Sequence, residues 1–234
     1  MNEIIWFSML IFCLASILAC YRLFGKQGLY AWTVMCVILA NIQVMKLVSL
    51  FGMTATLGNI LYGTSFLATD ILSENHGKKD AKLAVHMGFF MLLMMAVVMK
   101  FAILFIPNPH DMAHEALSKI FGLTPRVAGA SFCAYASSQY HDVWMFHLLK
   151  DKTHDKHLWL RNNVSTMISQ AIDTGIFVAV AFYGIYPSSV LLSLFLSTYV
   201  IKWIVALSDT WCVYLARKWF REGKIRTEAE YIVR

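Results

Sequence analysis

Residues 83–106 read LAVHMGFFMLLMMAVVMKFAILFI, an apolar run interrupted by a single formal charge, Lys100. A helix crossing the hydrocarbon of a bilayer needs about 20 such residues. Six further runs of near-spanning length surround it: Ile4–Leu23, Leu29–Leu50, Ala55–Ser73, Arg126–Leu149, Asn163–Tyr186 and Ser189–Ala216. Helices are the simple way to satisfy the backbone of runs this long and this apolar in lipid. The expected fold is therefore an all-α integral membrane protein, a single polytopic domain over residues 1–234 with six to seven transmembrane helices.

Composition agrees. Of the 234 residues 59% are hydrophobic and 15% charged, with a mean hydropathy of +0.59. A soluble domain carries about 25% charged residues, so this chain lacks the polar surface to cover a globule. The net charge is +6. A basic balance can signal nucleic acid, but here the basic residues lie between apolar runs, which points to the lipid bilayer as partner and to no nucleic acid.

The loop charges set the orientation. Arg22 and Lys26 follow the first run, Lys78, Lys79 and Lys82 the third, Lys150, Lys152, Lys156 and Arg161 the fifth, and Arg217, Lys218, Arg221, Lys224 and Arg226 the seventh. The segments between, Phe51–Thr54 and the turn around Tyr186–Ser188, are uncharged, and Pro107–Pro125 sets Lys119 against Asp111 and Glu115. Basic loops in every second position place the N-terminus outside and the C-terminus inside by the positive-inside rule. Seven crossings satisfy that parity; six with both ends inside result if the first run is not a span.

The soluble parts are short. The longest loop has room for an interfacial helix around Met112–Phe121. Gly77–Lys79 lacks the spacing of a phosphate-binding loop, and no cleavable signal peptide is evident. Cys13, Cys20, Cys36, Cys133 and Cys212 all lie in apolar runs, as packing residues do. The histidines lack companion ligands, and no H-E-x-x-H or G-x-S-x-G occurs. Neither metal, cofactor nor enzymatic nucleophile is expected. Ala130, Ala134 and Ser138 make a small-residue row suited to close helix packing, and the Met-rich Phe89–Met99 reads as lipid- or core-facing filler.

Polar residues inside the runs fall into stripes. Asn59, Tyr62, Phe66 and Asp70 recur at i, i+3, i+7 and i+11, with Glu74 one turn beyond. Tyr135, Gln139, Asp142 and Phe146 form a second stripe, and Asn163, Thr166, Gln170, Asp173 and Phe177 a third. Each set shares one helical face. A charge at bilayer depth costs roughly 2.5–3.5 kcal/mol, so such faces turn toward a partner or a solute. Carboxylates accept from adjacent N–H donors, amides do both, and rings stack on flat solutes. The combination suits a flat, nitrogen-rich ring. The plainer reading is that these groups bind helices to one another, with Asp70 and Glu74 solvated at a helix end. A buried carboxylate can also carry a proton. Lys46 and Lys202 are the cations able to neutralise an aspartate, although Lys46 is as well placed to snorkel outward.

Three blocks make the chain similar to a known family. They are residues 40–46 (ANIQVMK) with 64–74 (TSFLATDILSE) and Gly77–Lys79, residues 138–146 (SQYHDVWMF), and residues 158–166 (LWLRNNVST) continuing to Gln170, Asp173 and Phe182–Gly184. They resemble the queuosine precursor transporter family, also called the YhhQ or vitamin-uptake-transporter family. The resemblance implies an importer in the bacterial cytoplasmic (inner) membrane, taking up 7-cyano-7-deazaguanine, 7-aminomethyl-7-deazaguanine or queuine by secondary transport. It also leaves open a substrate-binding subunit that needs a separate ATPase module, or a carrier of another purine- or vitamin-like solute. A homodimer is possible. The candidate substrate site comprises Asn41, Gln43, Lys46, Asn59, Tyr62, Phe66, Asp70, Glu74, Tyr135, Gln139, Asp142, Phe146, Arg161, Asn163, Thr166, Gln170 and Asp173. Asp142 and Asp173 would read the N–H donors of the base, Gln139, Gln170 and Asn163 its remaining edge, and Tyr62, Phe66, Tyr135 and Phe146 its faces.

Overall fold

A computed structural model describes residues 1–44, 46–122, 125–154, 156–184 and 187–226. Among them run seven helices and one hairpin: α1 (Asn2–Gln43), β1 (Leu47–Leu50), β2 (Met53–Thr56), α2 (Asn59–Asn75), α3 (Lys78–Leu104), α4 (His114–Phe121), α5 (Pro125–Lys152), α6 (Leu158–Phe182) and α7 (Ser188–Arg221). The chain is a helical membrane protein. Among the described residues four helices are long and apolar enough to cross a bilayer: α1, α3, α6 and the Leu194–Arg221 part of α7.

As one straight rod, the 42 residues of α1 would be about 63 Å long, twice the hydrocarbon thickness. They are not one rod. Gly25 breaks the helix with φ 55° and ψ −144°, a left-handed φ that glycine adopts without a Cβ clash. Beyond it the chain doubles back. A Cβ on Gly28 would sit 2.5 Å from the Cys20 carbonyl oxygen, and the Cys20 thiol lies 3.4 Å from the Gly28 carbonyl. Residues eight apart on a continuous helix are separated by about 12 Å. α1 is thus a hairpin of two arms, matching the first two apolar runs.

The second arm ends earlier than its hydropathy suggests. The apolar run extends to Leu50, but the helix stops at Gln43. Leu47–Leu50 instead pairs antiparallel with Met53–Thr56, Leu47 opposite Thr56 and Leu50 opposite Met53. Phe51 and Gly52 make the turn with φ of 51° and 75°, the doubly positive φ that a two-residue hairpin turn favours. The third helix accordingly starts at Asn59, not Ala55. β-branched Val48 suits its strand, and the pairing satisfies the facing edge of each strand while the outer edges stay open.

Two sets of chain ends gather separately. At one, the Arg226 amide lies 3.5 Å from the Arg22 carbonyl, the Arg22 guanidinium stacks 5.3 Å from the Trp219 ring, His76 meets Phe220 at 5.0 Å, and Lys150 Nζ donates to the Glu74 carbonyl at 3.2 Å. The basic loops therefore lie together. At the far ends of these helices, Asn2 donates to the Ser49 carbonyl at 3.1 Å, and Arg126 donates to the carbonyls of Val180 and Tyr183 at 2.6 and 2.5 Å.

α2 is the central post, packed by α1, α3, α5 and α7. From Asn59 to Ser73 every residue but Tyr62 is buried. α3 is the reverse: Phe90, Leu93, Val97, Val98, Phe101 and Leu104 are exposed, an apolar face made for lipid acyl chains. The short helix α4 begins at His114, two residues later than expected, because the Asp111 carboxylate accepts from the Ala113 and His114 amides at 2.7 and 3.1 Å. Tyr186, the expected end of the sixth run and start of the following turn, lies outside the described residues.

Candidate functional site

The three stripes all turn inward. Asn59, Phe66 and Asp70 of α2, Tyr135, Gln139, Asp142 and Phe146 of α5, and Asn163, Thr166, Gln170 and Asp173 of α6 are buried, and Tyr62 is half-buried. They form successive polar levels along α2, from Tyr62 down to Glu74 at the basic end.

The level at Tyr62 centres on Asp173. Lys202 of α7 is ion-paired to its Oδ2, and the Tyr62 hydroxyl donates to its Oδ1 at 2.5 Å. Ser138 donates to the same Oδ1 at 3.3 Å. The Lys202 ammonium also lies 4.9 Å from the centre of the Tyr62 ring, within cation–π range. Aromatic rings line this level: Tyr62 lies 5.5 Å from Phe66 and 6.1 Å from Tyr135. A buried ion pair is tolerable only with supporting hydrogen bonds, and Asp173 has them. The Tyr135 hydroxyl, Gln170 Oε1 and Thr174 Oγ1 have no hydrogen-bond partner among the described residues. Buried polar atoms are normally satisfied, so these are unmet hydrogen-bonding groups, two of them on the helix of Asp173 and the third, the Tyr135 hydroxyl, lying against Gly88 of α3.

Gln139 links this level to the next. Thr69 donates to its Oε1 at 3.4 Å, and its Nε2 donates to Ser65 at 3.3 Å. Below lie Asp70, whose Oδ2 accepts from Thr166 at 3.1 Å, Asp142, and Asp209, which accepts from Asn162 at 3.4 Å. The last level is cationic. Glu74 is ion-paired to Arg161, to Arg217 at 2.9 Å and to Lys150 at 3.6 Å. Arg161 is fully buried, donates to the Lys156 carbonyl at 3.2 Å, and lies 5.6 Å from the Phe146 ring. One carboxylate of α2 thus holds cations from α5, α6 and α7.

Several expectations are corrected. Asp70 and Glu74 are not solvated at an interface; both are buried inside the bundle. Lys46 is exposed and outside any helix, so the aspartate's counterion is Lys202. Asn41 donates back to the Val37 carbonyl at 2.9 Å, and it and Gln43 are half-buried at the end of α1. Asn163 turns to α7, exchanging hydrogen bonds of 2.8 and 3.1 Å with Thr210. Phe146 sits under Arg161 rather than beside Tyr62. The small-residue row works as expected, with Ala130, Ala134 and Ser138 buried on α5. Sequence reasoning left Asp209, Arg217 and Ser138 out of the site, and counted Lys202 only as a counterion. Lys202 and Asp209 stand seven residues apart within one apolar run, so a stripe on α7 was there to be read.

The chain is similar to known proteins over most of its length. Residues 56–216 match the family described as "putative vitamin uptake transporter". A Bacillus subtilis protein named "probable queuosine precursor transporter" is 45% identical over 218 residues, which is 93% of this chain and 95% of its own. A Haemophilus influenzae protein of the same name is 29% identical over 133 residues, 57% of this chain and 54% of its own. An Escherichia coli protein named "queuosine precursor transporter" is 30% identical over 146 residues, 62% of each chain. No solved structure matches the chain.

Proposed function

The chain belongs to the vitamin uptake transporter family, and from that premise we propose that it imports queuosine precursors, 7-deazaguanine bases, across the bacterial inner membrane by secondary transport. It is a membrane transporter and not an enzyme. In this reading the two arms of α1 with α2, α3, α5, α6 and α7 make seven crossings, the N-terminus lies outside, and the basic end faces the cytoplasm. The names of the relatives support the substrate class.

One observation within the chain carries the reading furthest: Asp173 accepts from Tyr62, whose ring is flanked by those of Phe66 and Tyr135, and Gln170 and Thr174 on the helix of Asp173 carry buried polar atoms without a partner among the described residues. A deazaguanine is flat and presents adjacent N–H donors on one edge. Rings at this level stack on its faces, a contact worth about 1–3 kcal/mol per base in nucleic-acid complexes. The Asp173 carboxylate accepts from its edge, with Lys202 yielding part of its hold. Gln139 and Gln170 complete the edge. The carboxylate thus stays neutralised with or without solute, which avoids stranding a bare charge in the membrane.

The test is thermal denaturation of the purified chain in detergent with 7-deazaguanine bases, guanine and unrelated vitamins. A ligand at about 100 times its Kd adds about 2.7 kcal/mol of stability. The deazaguanines are expected to raise the melting temperature, and Asp173→Asn to abolish the shift. If no deazaguanine stabilises the chain, or if Asp173→Asn binds it as well as the parent, the assignment fails.

A further inference from the structure

Between the base-binding level and the cationic level, three carboxyls meet from three helices: Asp70 of α2, Asp142 of α5 and Asp209 of α7. All are buried, Asp142 completely, and α6 bridges two of them, Thr166 bonding Asp70 and, one turn away, Asn162 bonding Asp209. The cations above and below are committed. Lys202 pairs with Asp173, and Arg161, Arg217 and Lys150 pair with Glu74. No ion pair reaches the three aspartates among the described residues.

The polar groups nearby have hydrogen-bond partners of their own. Thr166 gives its hydroxyl hydrogen to Asp70 Oδ2 at 3.1 Å, and Asn162 gives an amide hydrogen to Asp209 at 3.4 Å. Ser165 donates to the Asn162 carbonyl at 3.3 Å, and Ser169 shares a hydrogen bond of 2.9 Å with His141. With the carboxyls ionised, neither oxygen of Asp142 nor Oδ1 of Asp70 receives a hydrogen bond. The side-chain oxygen of Asn162, a neutral residue fully inside the bundle and bonded to Asp209, is also an acceptor with no donor. The unfilled atoms of Asp70, Asp142 and Asn162 are all acceptors, so what these three residues lack is a hydrogen. A hydrogen on one of the carboxyls supplies a donor at this level, which the oxygens of Asp142 and Oδ1 of Asp70 lack. Carboxyls crowded into one buried site can hold a proton between them.

We propose that Asp70, Asp142 and Asp209 form a proton-binding site, distinct from the base-binding level, whose loading and release couple proton entry to base import. The inference rests on the transport reading above. Its mechanical sense follows from where the carboxyls sit. With the proton bound, repulsion among α2, α5 and α7 at this level is reduced. With the proton gone, like charges at close range push the three helices apart. Gln139, bonded to Ser65 and Thr69, ties that motion to the level of Tyr62 and Asp173. The other ionisable groups around the trio are Glu74 on α2, His141, His147 and Lys150 on α5, Arg161 and Asp173 on α6, and Lys202, Cys212 and Arg217 on α7. On the α1 and α3 side of α2 stand Cys36, against Thr64, and the Tyr21–His76 pair near Asp80.

The experiment uses the full chain in liposomes loaded with a pH-sensitive dye and offered labelled 7-deazaguanine base. Acid outside is expected to drive accumulation of base, and added base to trigger acidification inside. Asp70→Asn, whose amide supplies a permanent hydrogen to Asp142, should lose both gradient-driven accumulation and base-triggered acidification. Asp209→Asn should weaken the gradient response while base exchange across equal pH continues. A parent chain that exchanges base yet ignores the proton gradient, or responds to an inward sodium gradient instead, overturns the proton site and leaves the transport reading standing. So does Asp70→Asn accumulating base as the parent does. A loss of base-induced thermal stabilisation in Asp209→Asn would put the trio in the base site and overturn its separateness. A parent chain that neither binds nor exchanges base sinks the transport reading, and this inference with it.

Discussion

Lys202 of α7 is ion-paired to Asp173 of α6 inside the bundle, and Tyr62 of α2 donates to the other oxygen of the same carboxylate. Removing one member of such a pair costs about 3–5 kcal/mol, because the charge left behind is buried. Lys202→Met is therefore expected to lower the melting temperature sharply. Lys202→Met with Asp173→Asn removes both charges and should recover most of the loss without restoring transport. Denaturation in detergent beside uptake in liposomes separates the two effects. A double variant as unstable as the single one would show that the pair does not set the stability of this level.

Tyr135 offers a contrary case. Its hydroxyl is buried with no hydrogen-bond partner among the described residues. An unsatisfied buried hydroxyl costs about 1–3 kcal/mol. Tyr135→Phe should thus leave the ligand-free protein as stable as the parent or more so. If the hydroxyl serves the base, the same variant should bind deazaguanine less tightly, by about tenfold for a lost bond of about 1.4 kcal/mol. Melting curves with and without base read both quantities. A variant that is destabilised without ligand and unaltered in binding would refute the assignment.

Much of this was legible before any coordinates. Hydropathy marked the helices because lipid leaves the backbone few alternatives, and helical spacing put Tyr62, Asp70, Gln139, Asp142 and Asp173 on inward faces. The hairpin at residues 47–56 was hidden because Leu47–Leu50 is as apolar as the helix before it, and hydropathy cannot tell strand from helix over so short a run. The pairing of the charges was out of reach for a different reason. Lys46 and Lys202 look alike in sequence, and only the approach of α7 to α6 selects one. Glu74 looked like a helix end facing water because its three cations come from residues 150, 161 and 217, far along the chain.

The clustering of the basic loops makes a topology test direct. In a variant with the native cysteines replaced, a cysteine at Gly52 or Asn108 should react with an impermeant maleimide added to intact cells. One at Lys79, Lys152 or Lys224 should react only after the membrane is opened. Gly52, Asn108, Lys79, Lys152 and Lys224 are all exposed in the fold, so burial does not confound the reading. Labelling of position 79 from outside, or of position 52 only from inside, would reverse the orientation. The same protection at Gly52 and Lys79 would contradict an odd number of crossings before α3.

The Glu74 cluster should rank its members by burial. Arg161 is fully buried, the Arg217 and Lys150 side chains are 18% and 22% exposed, and Lys150 stands farther from the carboxylate, at 3.6 Å against 2.9 Å for Arg217. Glu74→Gln removes the carboxylate that Arg161 and Arg217 share, leaving cations crowded in a site screened from water. Its expected cost is about 3–5 kcal/mol, the range for breaking a buried pair. Lys150→Met should cost under about 1 kcal/mol, as wetter ion pairs do, because it also relieves repulsion among the remaining cations. Arg217→Met should fall between. Salt adds a second readout. Screening acts on charges near water and hardly on buried ones, so raising ionic strength should narrow the difference between Lys150→Met and the parent but leave that of Glu74→Gln unchanged. Equal losses for Glu74→Gln and Lys150→Met, at low and high salt alike, would mean that the cluster is solvated and does not bind α2 to α5, α6 and α7.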